Sequence, residues 1–244
     1  MKKILIIGGT QEGNKLADFF RIHKIDYIIS YAGIVEQVYK KTLKKRIGGF
    51  GGINGIIAYM IKKKITNVID ASHPFSNKIS KNTIDACKLH NIPIISFYRK
   101  PWYKKKNDNW IKVKNFEEST NYLKGKSKKI FLAIGKKNLD VYKKFCQHFY
   151  LLRVLDDKNI KNFFPNQKCI VARGPFTERE DIKILKKHNI EIVISKNSGG
   201  NGAYSKILAA RKLKIPVILI SRPKKLKIRK INNFDSILDW INKN

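Results

Sequence analysis

Gly8-Gly9-Thr10-Gln11-Glu12-Gly13 is the first stretch of the chain with groups that could do chemistry. Two glycines after an apolar run let backbone N–H groups approach a ligand. A helix starting there adds unpaired donors and a partial positive charge, which suits a phosphate. The spacing is not the full G-x-G-x-x-G fingerprint, so an ordinary strand-to-helix turn reads equally well. Further on, Ser30-Tyr31-Ala32-Gly33 closes an extended run without a carboxylate. A ribose 2′-phosphate would not be repelled there and Ser30 could bond it, which mildly favours NADPH over NADH. A strand ending in a neutral turn is the plainer alternative.

Arg46 precedes five glycines within positions 48 to 55, Gly48, Gly49, Gly51, Gly52 and Gly55. That density disfavours a helix interior and points to a close-approach loop with backbone donors and Arg46 near a ligand; a flexible connector is the alternative. Ser72-His73-Pro74-Phe75 follows an apolar run, Val68–Ala71. His73 could donate to a ligand, act as an acid, or cap a turn. Lys196-Asn197-Ser198-Gly199-Gly200-Asn201-Gly202 combines a cation, amide and hydroxyl groups and glycines. It could clamp carboxylates or a phosphate. Tyr98 to Tyr103 and Trp110 interleave aromatic and basic residues, either to stack a flat anionic ligand or to pack a linker. Cys87, Cys146 and Cys169 are widely spaced. They form no zinc pattern, no metal-ligand cluster is evident, and no protein-bound metal is expected. His23, His90, His148 and His188 read as surface residues.

The elements that must position these groups alternate. Strands are expected at 3–8, 26–31, 68–71 and 93–97, with helices at 11–23, 53–63 and 77–90. A second alternating series follows Gly125: a strand at 129–135, a helix at 138–146, an extended run at 150–154, a strand and then a turn over 169–176, and a helix opening at Thr177-Glu178-Arg179-Glu180 with capping-box spacing. It continues with a strand at 191–195, a helix near 203–213, a strand at 216–220 and a last helix at 234–242. Short apolar runs alternating with amphipathic stretches imply an α/β protein of two Rossmann-like, doubly wound parallel-sheet domains with a cleft between them. The expected domains are 1–115, binding a coenzyme, and 116–244, binding a substrate, with the last helix free to pack back on the first.

Fifty-two Lys and Arg against 18 Asp and Glu give a formal charge of +34. Such a charge attracts polyanions, nucleic acid included. The lysines are scattered along the chain, however, and Ile, Asn and Lys share A/T-rich codons, so solvated faces and coding bias account for much of the excess. No run of 18 apolar residues and no signal-peptide pattern occurs, which leads to the expectation of a cytoplasmic protein without a membrane partner.

Taken together, the motifs resemble the precorrin-6A reductase family of cobalamin (vitamin B12) biosynthesis. The resemblance is carried by Gly8-Gly9-Thr10-x-Glu12-Gly13, Ser30-x-Ala32-Gly33, Arg46-x-Gly48-Gly49-Phe50-Gly51-Gly52, Asp70-Ala71-Ser72-His73-Pro74-Phe75, Arg99-x-Pro101-Trp102, Arg173-Gly174-Pro175-Phe176, Lys196-Asn197-Ser198-Gly199-Gly200, Ala209-Ala210-Arg211 and Arg222-Pro223, in that order along most of the chain. Ser72 stands where Thr is expected, Asp157-Lys158-Asn159 replaces a more proline-bearing stretch, and the lysine load is unusual. The resemblance implies NADPH-dependent reduction of one ring double bond of precorrin-6A to give precorrin-6B; a cobalt-precorrin-6A reductase using NADH is the alternative. It places the coenzyme pyrophosphate on Gly8, Gly9, Thr10 and Gln11, with Glu12, Ser30, Arg46, Gly48, Gly49 and Ser72 also around the coenzyme and Ser30 near the 2′-phosphate. Arg173, Gly174, Lys196, Asn197, Ser198, Gly199 and Gly200 are assigned to the carboxylates of a polycarboxylate tetrapyrrole. His73 and Lys196 are the candidate proton donors. A monomer without a specific nucleic-acid partner is expected. The competing readings are another nicotinamide or nucleotide-sugar enzyme on the same fold, and a nucleic-acid-binding module suggested by the charge.

Overall fold

The computed structural model describes residues 2–32, 44–223 and 226–244. Gly33, part of one motif above, lies outside them. The chain divides into two compact units, Met1–Lys100 with Lys224–Asn244, and Pro101–Pro223.

The first unit runs β1 (Lys3–Ile7), α1 (Gln11–Ile22), β2 (Asp26–Tyr31), β3 (Lys45–Ile47), α2 (Ile53–Lys62), β4 (Asn67–Asp70), α3 (Asn77–Leu89) and β5 (Ile94–Phe97). The second contains β6 (Trp110–Val113), α4 (Phe116–Ser119), β7 (Lys129–Ala133), β8 (Phe149–Val154), β9 (Gln167–Val171), α5 (Glu178–Lys187), β10 (Ile192–Lys196), α6 (Ser205–Lys212) and β11 (Val217–Ile220). The chain then returns to the first unit with β12 (Lys230–Ile231) and α7 (Phe234–Lys243).

Six parallel strands build each sheet, in the orders β12-β5-β4-β1-β2-β3 and β6-β11-β10-β7-β8-β9. The direction of winding reverses at β1, flanked by β2 and β4, and at β7, flanked by β8 and β10. Parallel sheets covered on both faces need strands that are apolar throughout. In β1, Ile4 and Ile6 pack with Leu16, Phe20, Ile237 and Trp240 of α1 and α7. Leu5 and Ile7 face the opposite way, onto Ile56, Met60, Ala86 and Cys87 of α2 and α3. In the second unit Phe131, Leu151, Val193 and Leu219 pack with Leu185, Ile207 and Ala210 of α5 and α6. Among the described residues, no helix is long and apolar enough to cross a membrane.

Three expectations change. The division between units falls after Lys100, not after 115, because β6 pairs with β11, while β12 pairs with β5 and α7 joins the first core. Residues 138–146 form no α-helix. Two 3₁₀ turns, Lys136–Asn138 and Asp140–Tyr142, stand there. Leu139 and Tyr142 are the buried anchors, at the spacing of three that is one 3₁₀ turn. His148 is not a surface residue: it is fully buried, its Nδ1 accepting from the Lys128 N–H at 3.1 Å and its Nε2 donating to the Leu123 carbonyl at 2.7 Å.

Candidate coenzyme and substrate sites

The turn from β1 to α1 assigns its small residues to different tasks. The Gly8 N–H donates to the Ser30 carbonyl at 2.8 Å, and a Cβ on Gly8 would sit 2.9 Å from Ile29 Cγ1. Gly8 therefore lets β1 and β2 pack closely, and its N–H is not offered to a ligand as expected. Gly9 has φ +113°, with no atom within 4 Å of where a Cβ would stand, so its backbone is bare on that side. Thr10 is the N-cap of α1. Its hydroxyl accepts from the Gly13 N–H at 3.0 Å and donates to the Ala71 carbonyl at 2.8 Å. A Cβ on Gly13 would lie 3.2 Å from Ala71 Cβ, so α1 starts hard against the end of β4. Thr10 is thus a fastener of the winding-reversal point rather than a side chain presented to phosphate. Gln11 and Glu12 open the helix, and their N–H groups have no intrahelical acceptor. The Glu12 carboxylate is paired with the Arg99 guanidinium at 2.9 Å.

At the neighbouring strand ends, Ser30 and Arg46 are register partners of β2 and β3. Arg46 Nη1 donates to the Ser30 hydroxyl at 3.1 Å and to the Gly48 carbonyl at 2.6 Å, and Nη2 donates to the Gly49 carbonyl at 2.7 Å. Its guanidinium lies 3.7 Å from the Phe50 ring centroid. Burial, opposed by a weaker effect of Tyr59, pulls its pKa below the ordinary value. The glycines act here through carbonyls that hold the arginine. The Gly48 N–H is itself bonded to the Tyr31 carbonyl at 2.9 Å, which corrects its expected role as a ligand donor.

After β4, the Ser72 N–H donates to Asp70 Oδ1 at 3.0 Å and the Ser72 hydroxyl pairs with that of Ser80 at 2.9 Å. Nδ1 of His73 accepts from the Phe75 N–H at 3.2 Å. That contact assigns the proton of the neutral ring to Nε2.

In the second unit the loop after β10 is tightly built. Asn197 spends its side chain on Trp102: Oδ1 accepts from the Trp102 N–H at 2.8 Å and Nδ2 donates to its carbonyl at 3.0 Å. The indole Nε1 donates to the Gly200 carbonyl at 2.8 Å. Arg222 donates to the carbonyls of Asn197 and Ser198, both at 2.9 Å. Asn197 is therefore a brace for the chain segment entering the unit. Gly199 and Gly200 adopt φ +66° and +65°, the left-handed region that favours glycine. A Cβ on Gly174 would stand 2.9 Å from the Gly202 carbonyl, which brings Arg173 beside this loop. Lys196 closes β10 half-buried, with Nζ 5.5 Å from the Phe116 ring centroid. Burial first, and Lys137 second, push its pKa down to about 8.

Residue type alone did not show the roles of Arg99, Trp102 and Arg222. Their motifs were visible, but a partner 87, 95 or 25 residues away decides what each does.

A parallel sheet that reverses at β1, with a bare glycine turn and a capped helix at the reversal, defines a doubly wound α/β protein, a class whose ligands bind at the reversal point. Residues 3–242 match the family model described as Precorrin-6x reductase CbiJ/CobK, and the chain belongs to that family. The chain is 38% identical to the Precorrin-6A reductase of Rhodobacter capsulatus, with 91% of this chain and 89% of the relative covered. Identity to the Cobalt-precorrin-6A reductase of Methanocaldococcus jannaschii is 29%, covering 91% and 90%. The solved structure titled CobK precorrin-6A reductase superposes with a TM-score of 0.95 at 35% identity, over 100% of this chain and 97% of that one. The family is one of oxidoreductases that reduce a carbon–carbon double bond with a nicotinamide coenzyme.

Proposed function

We propose that the chain reduces precorrin-6A to precorrin-6B with NADPH as the reductant. The observation that carries the choice of coenzyme is the Ser30–Arg46 pair at the ends of β2 and β3. It sets a hydroxyl and a guanidinium where dinucleotide folds select the ribose 2′ substituent. An arginine held by two carbonyls and Phe50 is preorganised, so little side-chain entropy is lost when it meets a 2′-phosphate. The bare backbone of Gly9 and the first N–H groups of α1 fit the diphosphate. The higher identity to the relative named for the metal-free macrocycle supports precorrin-6A over its cobalt complex as substrate.

NADPH supplies a hydride to one carbon of the ring double bond, and a proton is needed at its neighbour. Lys196 is our candidate donor. With a pKa of about 8 it is mostly protonated at neutral pH, yet it releases a proton far more readily than an ordinary lysine. His73 is the second candidate, its tautomer held by the Phe75 N–H. Arg173 and the Lys196–Gly202 loop offer charge-assisted bonds to macrocycle carboxylates.

The test is a titration of the protein with NADPH and NADH, read by nicotinamide fluorescence, followed by an anaerobic assay of NADPH oxidation by precorrin-6A. Preference for NADPH by about tenfold or more is expected from a charged 2′-phosphate contact. Equal affinities would refute the reading of Ser30 and Arg46. NADPH oxidation only with the cobalt complex would refute the assignment of the metal-free substrate.

A further inference from the structure

Arg99 has no place in the reaction as derived so far, yet the fold carries it to the coenzyme edge. It follows β5 by two residues, at the carboxyl end of the first sheet, where open parallel sheets take their ligands. Its side chain is 14% exposed, and Nη1 lies 2.9 Å from Oε2 of Glu12, the second residue of α1. A guanidinium is thereby fixed at the mouth of the helix whose first N–H groups have no intrahelical acceptor. Glu12 satisfies the helix dipole and offsets the cost of burying Arg99, whose pKa burial lowers and Glu12 restores in part. The arrangement has a consequence for an anionic ligand. A carboxylate at a helix N-terminus repels phosphate unless a cation accompanies it, and Arg99 is that cation.

We propose that Arg99 is a coenzyme-binding residue that engages the diphosphate of the nicotinamide coenzyme, with Glu12 as its positioning residue rather than a coenzyme ligand. This rests on the coenzyme reading above. The contact is to charge shared by NADPH and NADH, so it sets affinity and not the choice between them. Arginine is suited to it because its planar donors can serve Glu12 on one edge and phosphate oxygens on another.

The test separates this assignment from the coenzyme reading. Binding of NADPH, 2′-phospho-ADP-ribose and adenosine 2′-monophosphate is measured by fluorescence or competition for the unaltered protein, Arg99→Ala, Arg99→Lys and Glu12→Gln. Failure of the unaltered protein to bind NADPH would overturn the coenzyme reading itself. If it binds, Arg99→Ala is expected to weaken NADPH and 2′-phospho-ADP-ribose about 10- to 100-fold, while adenosine 2′-monophosphate, which lacks the diphosphate, shifts less than about threefold. Arg99→Lys is expected to recover part of the loss, and Glu12→Gln to hold NADPH within about threefold, because Gln still accepts from Arg99. Unchanged NADPH binding in Arg99→Ala would overturn the proposal. An equal loss for all three ligands, or a Glu12→Gln loss matching that of Arg99→Ala, would also do so, since either result marks the pair as structural. If Arg99→Ala fails to fold, Arg99→Lys is read by the same ligand pattern.

Discussion

The two units share the order of five strands, β5-β4-β1-β2-β3 and β11-β10-β7-β8-β9, with the sixth last along the chain in the first (β12) and first in the second (β6), and they differ again at the first crossover. After β1, the bare Gly9 and the N-cap Thr10 lead into a 12-residue helix. After β7, Gly135 at φ +72° leads only into two 3₁₀ turns carrying Lys136 and Lys137, with Lys196 at the end of the adjacent strand. The first arrangement offers aligned backbone donors with a macrodipole behind them; in the second Lys136 is paired with Asp156, which leaves Lys137 and Lys196 as its cations. A compact diphosphate is matched by fixed N–H groups at short range, whereas carboxylates spread around a macrocycle are matched by longer-reaching side chains. On the function proposed above, the comparison teaches that one topology would serve two kinds of anion through the structure of a single crossover.

The comparison breaks most readily at its two glycines. Gly9→Val puts a β-branched side chain at φ +113° and fills the bare side of the turn. Loss of NADPH affinity by more than about 100-fold is expected in a fluorescence titration. Gly135→Ala, also at positive φ, is expected to cost about 1 kcal/mol in urea unfolding and to leave NADPH affinity unchanged. Retained binding in Gly9→Val would show that the diphosphate does not lie on this turn.

Lys196 gives the next largest effect. With the donor role assigned above, kcat of the unaltered protein is expected to fall as pH rises through about 8, and Lys196→Met to lower kcat about 100-fold and remove that limb. The effect on stability runs the other way. A lysine whose folded pKa lies below its unfolded value of 10.5 binds fewer protons folded than unfolded between about 8 and 10.5. Its contribution therefore rises with pH across that window and is unfavourable below it. Lys196→Met is expected to stabilise the protein at pH 7 by about 1–2 kcal/mol, discounted for partial exposure. A variant that is both inactive and no more stable would deny that burial sets the lysine's proton affinity.

Arg46→Ala sharpens the contrast on the coenzyme side alone. NADPH affinity is expected to drop about 10-fold while NADH affinity stays within about twofold, as measured by parallel titrations. Equal losses would mean that Arg46 serves the glycine loop through its bonds to Gly48 and Gly49 and not the 2′ substituent.

Much of this was readable in the chain itself, for identifiable reasons. The strands buried on both faces, β1, β7, β10 and β11, are continuous apolar runs, and the Thr177–Glu180 capping box forms as its spacing implies. The strands that escaped, β3, β6 and β12, are two to four residues long and mostly carry lysine or arginine. Only a pairing partner far along the chain makes them extended. The site shows the same limit. Ser30 and Arg46 were each open to a reading as candidate coenzyme residues, but that Arg46 reaches Ser30 depends on the β2–β3 register. Residue type could not say that Gly8 faces a neighbouring strand, or that the amide of Asn197 faces the backbone of Trp102 instead of a ligand. A polar group suited to a substrate is equally suited to bracing its own loop.

The smallest expected effect asks whether the two first-rank helix caps are alike. Thr177 caps α5 through its hydroxyl and the reciprocal Glu180 bond, at an exposed position. Thr10 caps α1 while buried, and its hydroxyl also donates to Ala71 at the end of β4. Thr177→Ala removes one cap and is expected to cost about 1 kcal/mol. Thr10→Ala leaves the Gly13 N–H and the Ala71 carbonyl both without a partner in a buried place, and about 2 kcal/mol is expected from urea unfolding. Thr10→Ser keeps the hydroxyl and should recover most of it. Because Thr10 joins the two loops of the reversal point, its loss should also weaken NADPH severalfold, whereas Thr177→Ala should not. If both alanine variants cost the same and neither moves the coenzyme, Thr10 is a helix cap only, and the rigidity of the coenzyme edge must come from the packing of Gly8 and Gly13.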